Sequence, residues 1–152
     1  MTIHLEPVAI VVGGRSEPID DDWAGEEAIV RVDAQFPESV VAGLTDFSHI
    51  DVVFHFHGVD TAKINLAARH PRNRTDWPLV GIFAQRAKAR PNRIGVTTCE
   101  LVSVDGHDIA VRGLDAIDGT PVLDIKPHVR EFAARGEIVQ PEWMTSLMSG
   151  YW

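Results

Sequence analysis

The chain has 152 residues, of which 45% are hydrophobic, and this length supports one hydrophobic core rather than two, so we expect a single domain over residues 1–152. Its formal net charge of −8 at pH 7 argues against a protein that coats nucleic acid non-specifically, because binding to phosphates requires neutralisation by Lys and Arg. The sequence contains no apolar run of about 18 residues and no secretory signal, so we expect a soluble, cytoplasmic protein that does not enter a membrane. Its lone cysteine, Cys99, can form neither an internal disulfide nor a thiolate metal cluster.

Short segments with alternating or β-branched residues, separated by turn signals, predict a mainly β chain. In chain order these segments are Val8 to Val12, Ile29 to Val32, Ile50 to His57, Val80 to Ala84 and Ile94 to Val104. Two alternating runs, Glu100 to Val104 and Ile109 to Leu114, flank Asp105-Gly106, which predicts a tight hairpin with positive φ at its turn. The whole pattern favours a small closed β-barrel with short helices.

Helical and loop segments are few. Helical periodicity is confined to Pro37 to Phe47 and to the stretch after Pro141, where a proline fits the first helical turn. The segment from Glu17 to Glu27 holds six acids around Trp23 and has no apolar period. We therefore expect this segment to be an exposed loop that could serve as a lid.

The charge is unevenly distributed along the chain. Between Arg69 and Arg93 there are seven basic residues and a single acid, Asp76, whereas the remainder holds seven basic and 21 acidic residues. Such a basic segment attracts an anionic ligand or a phosphate backbone. The alternative is a solvated basic loop.

Two familiar site patterns are incomplete in this chain. Gly13-Gly14 follows the first predicted strand, but its spacing fails the Gly-x-Gly-x-x-Gly pattern and no βαβ unit follows, so a turn is favoured over a Rossmann cofactor site. His55 and His57 alternate along one predicted strand and would face the same side, where two imidazoles could bind a metal. Because no carboxylate follows at a suitable spacing, we assign no metal and interpret them as histidines lining a polar face.

Two segments combine arginines with acids. In the first, from Gly81 to Gly95, Arg86 and Arg90-Pro91-Asn92 lie in a loop between two predicted strands; the proline stiffens it and the arginines can form forked bonds to carboxylates or phosphates. The second, from Gly113 to Pro127, carries three carboxylates around a Gly-Thr-Pro turn. Acids and guanidinium groups in one pocket would suit a ligand with a carboxylate and a sulfonium–ammonium pair.

At these segments the chain closely resembles the TsaA/TrmO family. The first segment keeps the family's Phe83, Ala84, Arg86, Arg90, Pro91, Asn92, Ile94 and Gly95. The second keeps Asp115, Asp118, Gly119, Thr120, Pro121, Asp124, Ile125, Lys126 and Pro127. A third family stretch matches Leu44, Phe47, Ser48, His49, Phe56 and His57. The resemblance spans about residues 8 to 130.

The resemblance implies a β-barrel methyltransferase of non-Rossmann type that forms a homodimer and binds S-adenosylmethionine near the barrel mouth. The tRNA-modifying members methylate N6 of threonylcarbamoyl-adenosine beside the anticodon. Carried over residue by residue, the cofactor contacts would be His57, Gly58, Phe83, Arg86, Arg90, Asn92, Val96, Asp115, Ala116, Ile117 and Asp118. The charge of the basic segment, rather than the resemblance, predicts Lys88 and Arg93 as contacts to the substrate, with Lys126 as a further contact; the candidates for a catalytic base, which lie in or near the motifs, are Asp118, His57 and His55.

The chain departs from the family pattern at several places, which keeps other functions open. Gln85 replaces Thr, Ala87-Lys88 replaces Ser-Pro, Arg93 replaces Pro and His128 replaces Tyr, and a Pro-Arg-Gln element is missing from the amino-terminal third. The alternatives are a methyltransferase of a small metabolite, a non-catalytic module that binds S-adenosylmethionine, and a metal-dependent β-barrel using His55 and His57.

Overall fold

A computed structural model describes all of residues 1–152, and its strands form one closed barrel and one small ribbon. The strands are β1 (Ala9–Val12), β2 (Glu27–Val32), β3 (His49–His55), β4 (Ala68–Arg69), β5 (Val80–Gly81), β6 (Ile94–Asp105), β7 (Asp108–Arg112) and β8 (Pro121–Pro127). The barrel has the order β1-β2-β7-β6-β3-β8, and every pair is antiparallel, including the β1–β8 pair that closes it. The closed, mainly β architecture predicted from the sequence is confirmed.

The barrel core follows from the alternation of side chains along each strand. In β3, Ile50, Val52 and Phe54 are at most 1% exposed, while the residues between them face outward. They join a core cluster of 13 buried residues to which all six barrel strands and the β7–β8 loop contribute. Because the strands close on themselves, no barrel edge is left unpaired.

The predicted hairpin is confirmed. Strands β6 and β7 meet at the pair Asp105 and Asp108, so the two turn residues are Gly106 and His107, one position later than the sequence suggested. Gly106 has a φ of +58°, which a glycine adopts without steric cost. The imidazole of His107 contacts the carbonyl oxygen of Phe36 at 2.8 Å and ties the turn to the loop after β2.

Several predicted boundaries are wrong for local reasons. Strand β3 ends at His55 rather than His57, because the chain turns there and the His57 amide bonds the His55 carbonyl at 2.7 Å. The strand predicted over Val80 to Ala84 covers only its first two residues, and Ile82–Ala84 form a 3-10 turn. Strand β8 was not predicted at all.

The predicted helices also differ in part. Instead of one helix over Pro37 to Phe47, there are two 3-10 turns, Glu38–Val41 and Leu44–Asp46, separated by Gly43 at a φ of +83°. The expected helix after Pro141 is present as α1 (Glu142–Met148). None of the helices is long and apolar enough to cross a membrane.

The acidic loop that leads into β2, residues 17–27, is held against the rest of the chain by specific contacts, and we call it the acidic strap. Trp23 is only 4% exposed and lies under the Arg15 guanidinium, 4.0 Å from the ring centroid. Asp21 accepts two hydrogen bonds from Arg72, at 2.7 and 3.2 Å. The predicted exposed loop is confirmed for most of its residues, but Trp23 is a buried aromatic that anchors it.

Candidate functional site

A cavity of about 1350 Å³ opens where β3 ends, β6 begins and the β7–β8 loop passes over the barrel. All three family-like segments contribute to its wall. Ten residues predicted from the resemblance line it: His57, Gly58, Phe83, Arg86, Lys88, Arg90, Val96, Asp115, Ala116 and Ile117. Five others do not line it: His55, Asn92, Arg93, Asp118 and Lys126.

Asp115 is the carboxylate that the β7–β8 loop presents to the cavity. Its Oδ1 accepts a hydrogen bond from the Thr97 hydroxyl, and its Oδ2 accepts one from the Tyr151 hydroxyl. Burial, followed by the charge of Asp115 and this hydrogen bond, raises the pKa of Tyr151. The phenol therefore stays protonated and remains a donor, and the carboxylate is held in one orientation with lone pairs left for a cationic ligand.

Arg86 supplies the opposite charge. Its Nη2 donates to the Val96 carbonyl at 3.0 Å, and no carboxylate lies within ion-pair distance of its guanidinium. A guanidinium carries five N–H donors. One bond to the barrel therefore orients this side chain and leaves the rest of the fork for an anionic ligand.

Arg90 and Gln85 shape the loop rather than present charge. Arg90 Nη1 donates to the Gln85 carbonyl at 2.9 Å, and the Gln85 side chain, itself 5% exposed, donates to the carbonyls of Arg69 and Val80 at 3.0 and 2.9 Å. The buried amide thus joins the loop to the β4–β5 ribbon. This bonding gives a structural role to the glutamine that replaces the family threonine.

Arg93 lies behind the cavity wall. Its Nη1 donates to the Val59 carbonyl at 3.2 Å, and its backbone has a φ of +50°. Proline cannot adopt that φ, since its ring fixes the angle near −65°. The departure from the family pattern at this position therefore has a backbone reason.

The candidate bases are placed differently from one another. His57 is exposed at the cavity, whereas His55 lies outside it, and burial, followed by the charges of Arg93 and His57, lowers the pKa of His55. Asp118 Oδ1 accepts from the Gly13 amide at 2.7 Å, so this carboxylate holds the Gly13-Gly14 turn. A cofactor contact or proton transfer by Asp118 stays a prediction.

The metal hypothesis has no support in the geometry. Because β3 ends at His55, the two imidazoles do not share a strand face. No group of three or more His, Cys, Asp or Glu side chains is close enough to hold a metal ion.

Aromatic rings other than Phe83 are the part of the site that the sequence analysis missed. The chain has four tryptophans, one tyrosine and six phenylalanines, and seven of these line the cavity: Trp23, Phe54, Phe56, Phe83, Trp143, Tyr151 and Trp152. Helix α1 brings Trp143 and Met144 to the wall together with Leu147 and Met148. The helical spacing after Pro141 was the available signal, because it places these large apolar residues on one side of a helix.

Known proteins are similar to most of this chain. Residues 15–134 match the family described as tRNA-methyltransferase O N-terminal domain. A protein of Pyrococcus abyssi named "Probable S-adenosyl-L-methionine-binding protein" is 36% identical over 149 residues, which cover 95% of this chain and 77% of that protein. The mouse protein named "tRNA (adenine(37)-N6)-methyltransferase" is 40% identical over 96 residues, covering 63% of this chain and 22% of that protein.

Among solved structures, the crystal structure of TrmO from Pseudomonas aeruginosa superposes with a TM-score of 0.73 at 26% identity, covering 91% of this chain and 61% of that one. The chain therefore spans less than two thirds of that structure and about a fifth of the mouse enzyme. The likeness agrees with the barrel described above.

Proposed function

Because this chain belongs to the family of tRNA-methyltransferase O N-terminal domains, we propose that it transfers the methyl group of S-adenosylmethionine to tRNA. The acceptor atom is N6 of threonylcarbamoyl-adenosine beside the anticodon. The names of the archaeal and mouse relatives support the cofactor and the acceptor, respectively. A protein that modifies tRNA is also expected to act in the cytoplasm.

One observation carries the proposal: a single cavity is lined by the Arg86 guanidinium, the Asp115 carboxylate and seven aromatic residues, of which all but Trp23 and Phe54 are at least partly exposed. S-adenosylmethionine has a carboxylate, a cationic ammonium and sulfonium, and a flat adenine. Each part has a complementary group on the wall. The cavity, at about 1350 Å³, is also larger than the roughly 300–1,000 Å³ that is usual for one small ligand, which leaves space for part of an acceptor beside the cofactor. The residues present therefore fit the cofactor.

Methyl transfer from the cofactor requires little of the protein beyond aligning the acceptor atom with the methyl group. The bound cofactor supplies a methyl group activated by a sulfonium, and its transfer is an in-line displacement. Arg86 holds the carboxylate end, Asp115 attracts the cationic end, and the aromatic wall excludes water. Methylation of N6 releases one proton, and His57 is the only one of the three candidate bases that lines the cavity, so we assign it the role of accepting that proton.

The test is methyl transfer from isotopically labelled S-adenosylmethionine to three acceptors: tRNA carrying threonylcarbamoyl-adenosine, the same tRNA without the modification, and a small-molecule extract. We expect label in the first acceptor alone, at the modified adenosine. Label in the extract alone would show that the acceptor is a small molecule rather than tRNA, while the assignment of the cofactor would stand. Absence of saturable cofactor binding in a calorimeter would refute the proposal altogether.

A second candidate, a binding module or a methyltransferase of a small metabolite, is favoured by the acidic strap. Asp20 lies 3.4 Å from the Lys88 ammonium at the cavity, and Asp21 pairs with Arg72. Two cations near the site are therefore already paired with carboxylates and are less available to the phosphates of a tRNA. The net charge of −8 acts in the same direction. Micromolar binding of cofactor without transfer to tRNA would select this candidate.

We further propose that the chain works as a homodimer, as the family resemblance implies. Large apolar side chains flank the β4–β5 ribbon and remain exposed: Leu66 at 78%, Leu79 at 61% and Phe83 at 82%. Exposed apolar groups of this kind are typical of interaction surfaces. Light scattering after size exclusion should give twice the mass of the 16.8 kDa chain, and Leu66→Glu combined with Leu79→Glu should shift it toward the monomer. A monomeric mass for the wild-type chain would refute this.

A further inference from the structure

The last residues of the chain place an indole ring on the cavity wall. Trp152 lines the cavity and is 54% exposed. Its ring meets that of Tyr151 edge to face, with centroids 5.0 Å apart and planes at 84°. A flat apolar surface of this size is poorly hydrated, so a flat ligand gains free energy by covering it.

The segment that carries this ring is fixed by bonds on both sides. The Tyr151 hydroxyl donates to Asp115 Oδ2. The backbone amides of Asp22 and Trp23 donate to the carbonyls of Gly150 and Tyr151 at 3.0 and 2.9 Å. Because the Tyr151 side chain and the backbone at Gly150 and Tyr151 are already held, binding next to them costs less further conformational entropy.

Tyr151 and Trp152 lie outside the family match, which covers residues 15–134. The matched residues supply the Arg86 and Asp115 charges, whereas Tyr151 and Trp152 come from the segment beyond them. The aromatic end of the cavity is thus a property of this chain that the family match does not cover.

Resting on the proposed function, we propose that Trp152 is a stacking surface for a purine ring and that Tyr151 is a positioning residue that holds it through Asp115. Purines are the flat rings that the proposed reaction brings to the cavity, since both the cofactor and the acceptor contain adenine. Stacking on an aromatic side chain is a general way to hold an unpaired base.

The test separates the two sources of the purine. Wild-type protein, Trp152→Ala, Trp152→Phe and the control Trp77→Phe are titrated with S-adenosylhomocysteine. They are then titrated with an anticodon stem-loop RNA in the presence of saturating S-adenosylhomocysteine. Trp77 is a matched control because it does not line the cavity.

We expect Trp152→Ala to lower the affinity for one of the two ligands by about 5- to 150-fold, the scale of losing one base–aromatic stack. Trp152→Phe should retain most of the affinity, and Trp77→Phe should change nothing. Loss confined to S-adenosylhomocysteine assigns the cofactor's adenine, and loss confined to the RNA assigns the acceptor's base.

The positioning role has its own readout. Tyr151→Phe should lower the affinity for the same ligand more in the wild-type background than in the Trp152→Ala background, because part of the effect of the hydroxyl acts through the indole and the rest through the Asp115 carboxylate that it orients. Equal losses in both backgrounds would overturn the positioning role. If the wild-type protein binds S-adenosylhomocysteine and folded Trp152→Ala binds both ligands equally well, the stacking inference is overturned while the proposed function stands. If the wild-type protein binds neither ligand, both fail.

Discussion

Gly95 is the position where one methyl group should cost the most. It lies in β6 on the cavity wall, and a Cβ built there falls 2.6 Å from two ring atoms of Phe54 and 2.9 Å from Phe56 Cζ. Carbon atoms do not approach so closely, so the rings or the strand must move. Phe54 is 1% exposed and packs edge to face with Phe56, with centroids 5.2 Å apart, so the Phe54 ring is enclosed and cannot move without disturbing this packing.

The magnitude follows from two opposing effects. Overpacking a closed core costs about 1–3 kcal/mol. Replacing glycine restricts the unfolded chain and returns about 0.4–1 kcal/mol. We expect Gly95→Ala to lower the free energy of unfolding by about 1–2 kcal/mol, a shift in thermal midpoint of roughly 2–8 °C for a chain of this size.

Thermal and denaturant unfolding followed by circular dichroism measure this effect. Gly81→Ala is the matched control, because it is also a strand glycine with no positive φ and a Cβ there meets nothing within 4 Å. The double variant with Phe54→Leu should be less destabilised than the sum of the single variants, by at least about 0.5 kcal/mol. An equal midpoint for Gly95→Ala and Gly81→Ala would show that the contact is not tight and refute the reasoning.

Three other predictions concern charge and reactivity. Arg86→Ala should weaken cofactor binding by about 1.5–3 kcal/mol, the scale of a charged hydrogen bond, and Arg86→Lys should restore it only in part; unchanged affinity by calorimetry in the folded alanine variant would remove Arg86 from the site. Replacing Lys88 and Arg93 with Ala should flatten the salt dependence of tRNA binding in gel-shift titrations with nearly unchanged cofactor affinity, and an unaltered slope would count against phosphate contacts there. Burial raises the pKa of Cys99 to about 12, and since only the thiolate reacts, a disulfide reagent at pH 8 should modify the protein only after unfolding; rapid modification of the native protein would contradict this.

Much of the barrel could be predicted from the sequence because its strands alternate cleanly. Strands β3 and β6 and the hairpin at Gly106 carry that alternation. Strand β8 was missed because its prolines, aspartate and lysine are typical of a turn. Its pairing with β1 and β3 closes the barrel and joins residues far apart in the sequence.

The site was predictable where residues match a motif and not where they meet through the fold. His57, Arg86 and Asp115 share one cavity, as the resemblance implied. Nothing local in the sequence links Asp115 to Tyr151, or Trp23 to the backbone at Tyr151. These contacts depend on the path of the chain after α1, which residue types alone do not set.

The fold also changes the meaning of the charge asymmetry. Three of the seven basic residues between Arg69 and Arg93 pair with carboxylates, through Arg72–Asp21, Arg74–Asp76 and Lys88–Asp20. The Lys88 pair is 3.4 Å long with both side chains about half exposed, and such a pair is worth less than about 1 kcal/mol. A lone small anion gains little by displacing Asp20. Of the remaining basic residues, Arg86 is assigned to the cofactor, Arg90 bonds a backbone carbonyl and Arg93 lies behind the cavity wall, which leaves few guanidinium groups for the phosphates of a tRNA. The acidic strap therefore reduces the positive charge that this segment offers to a phosphate backbone, which is why it favours the second candidate over tRNA.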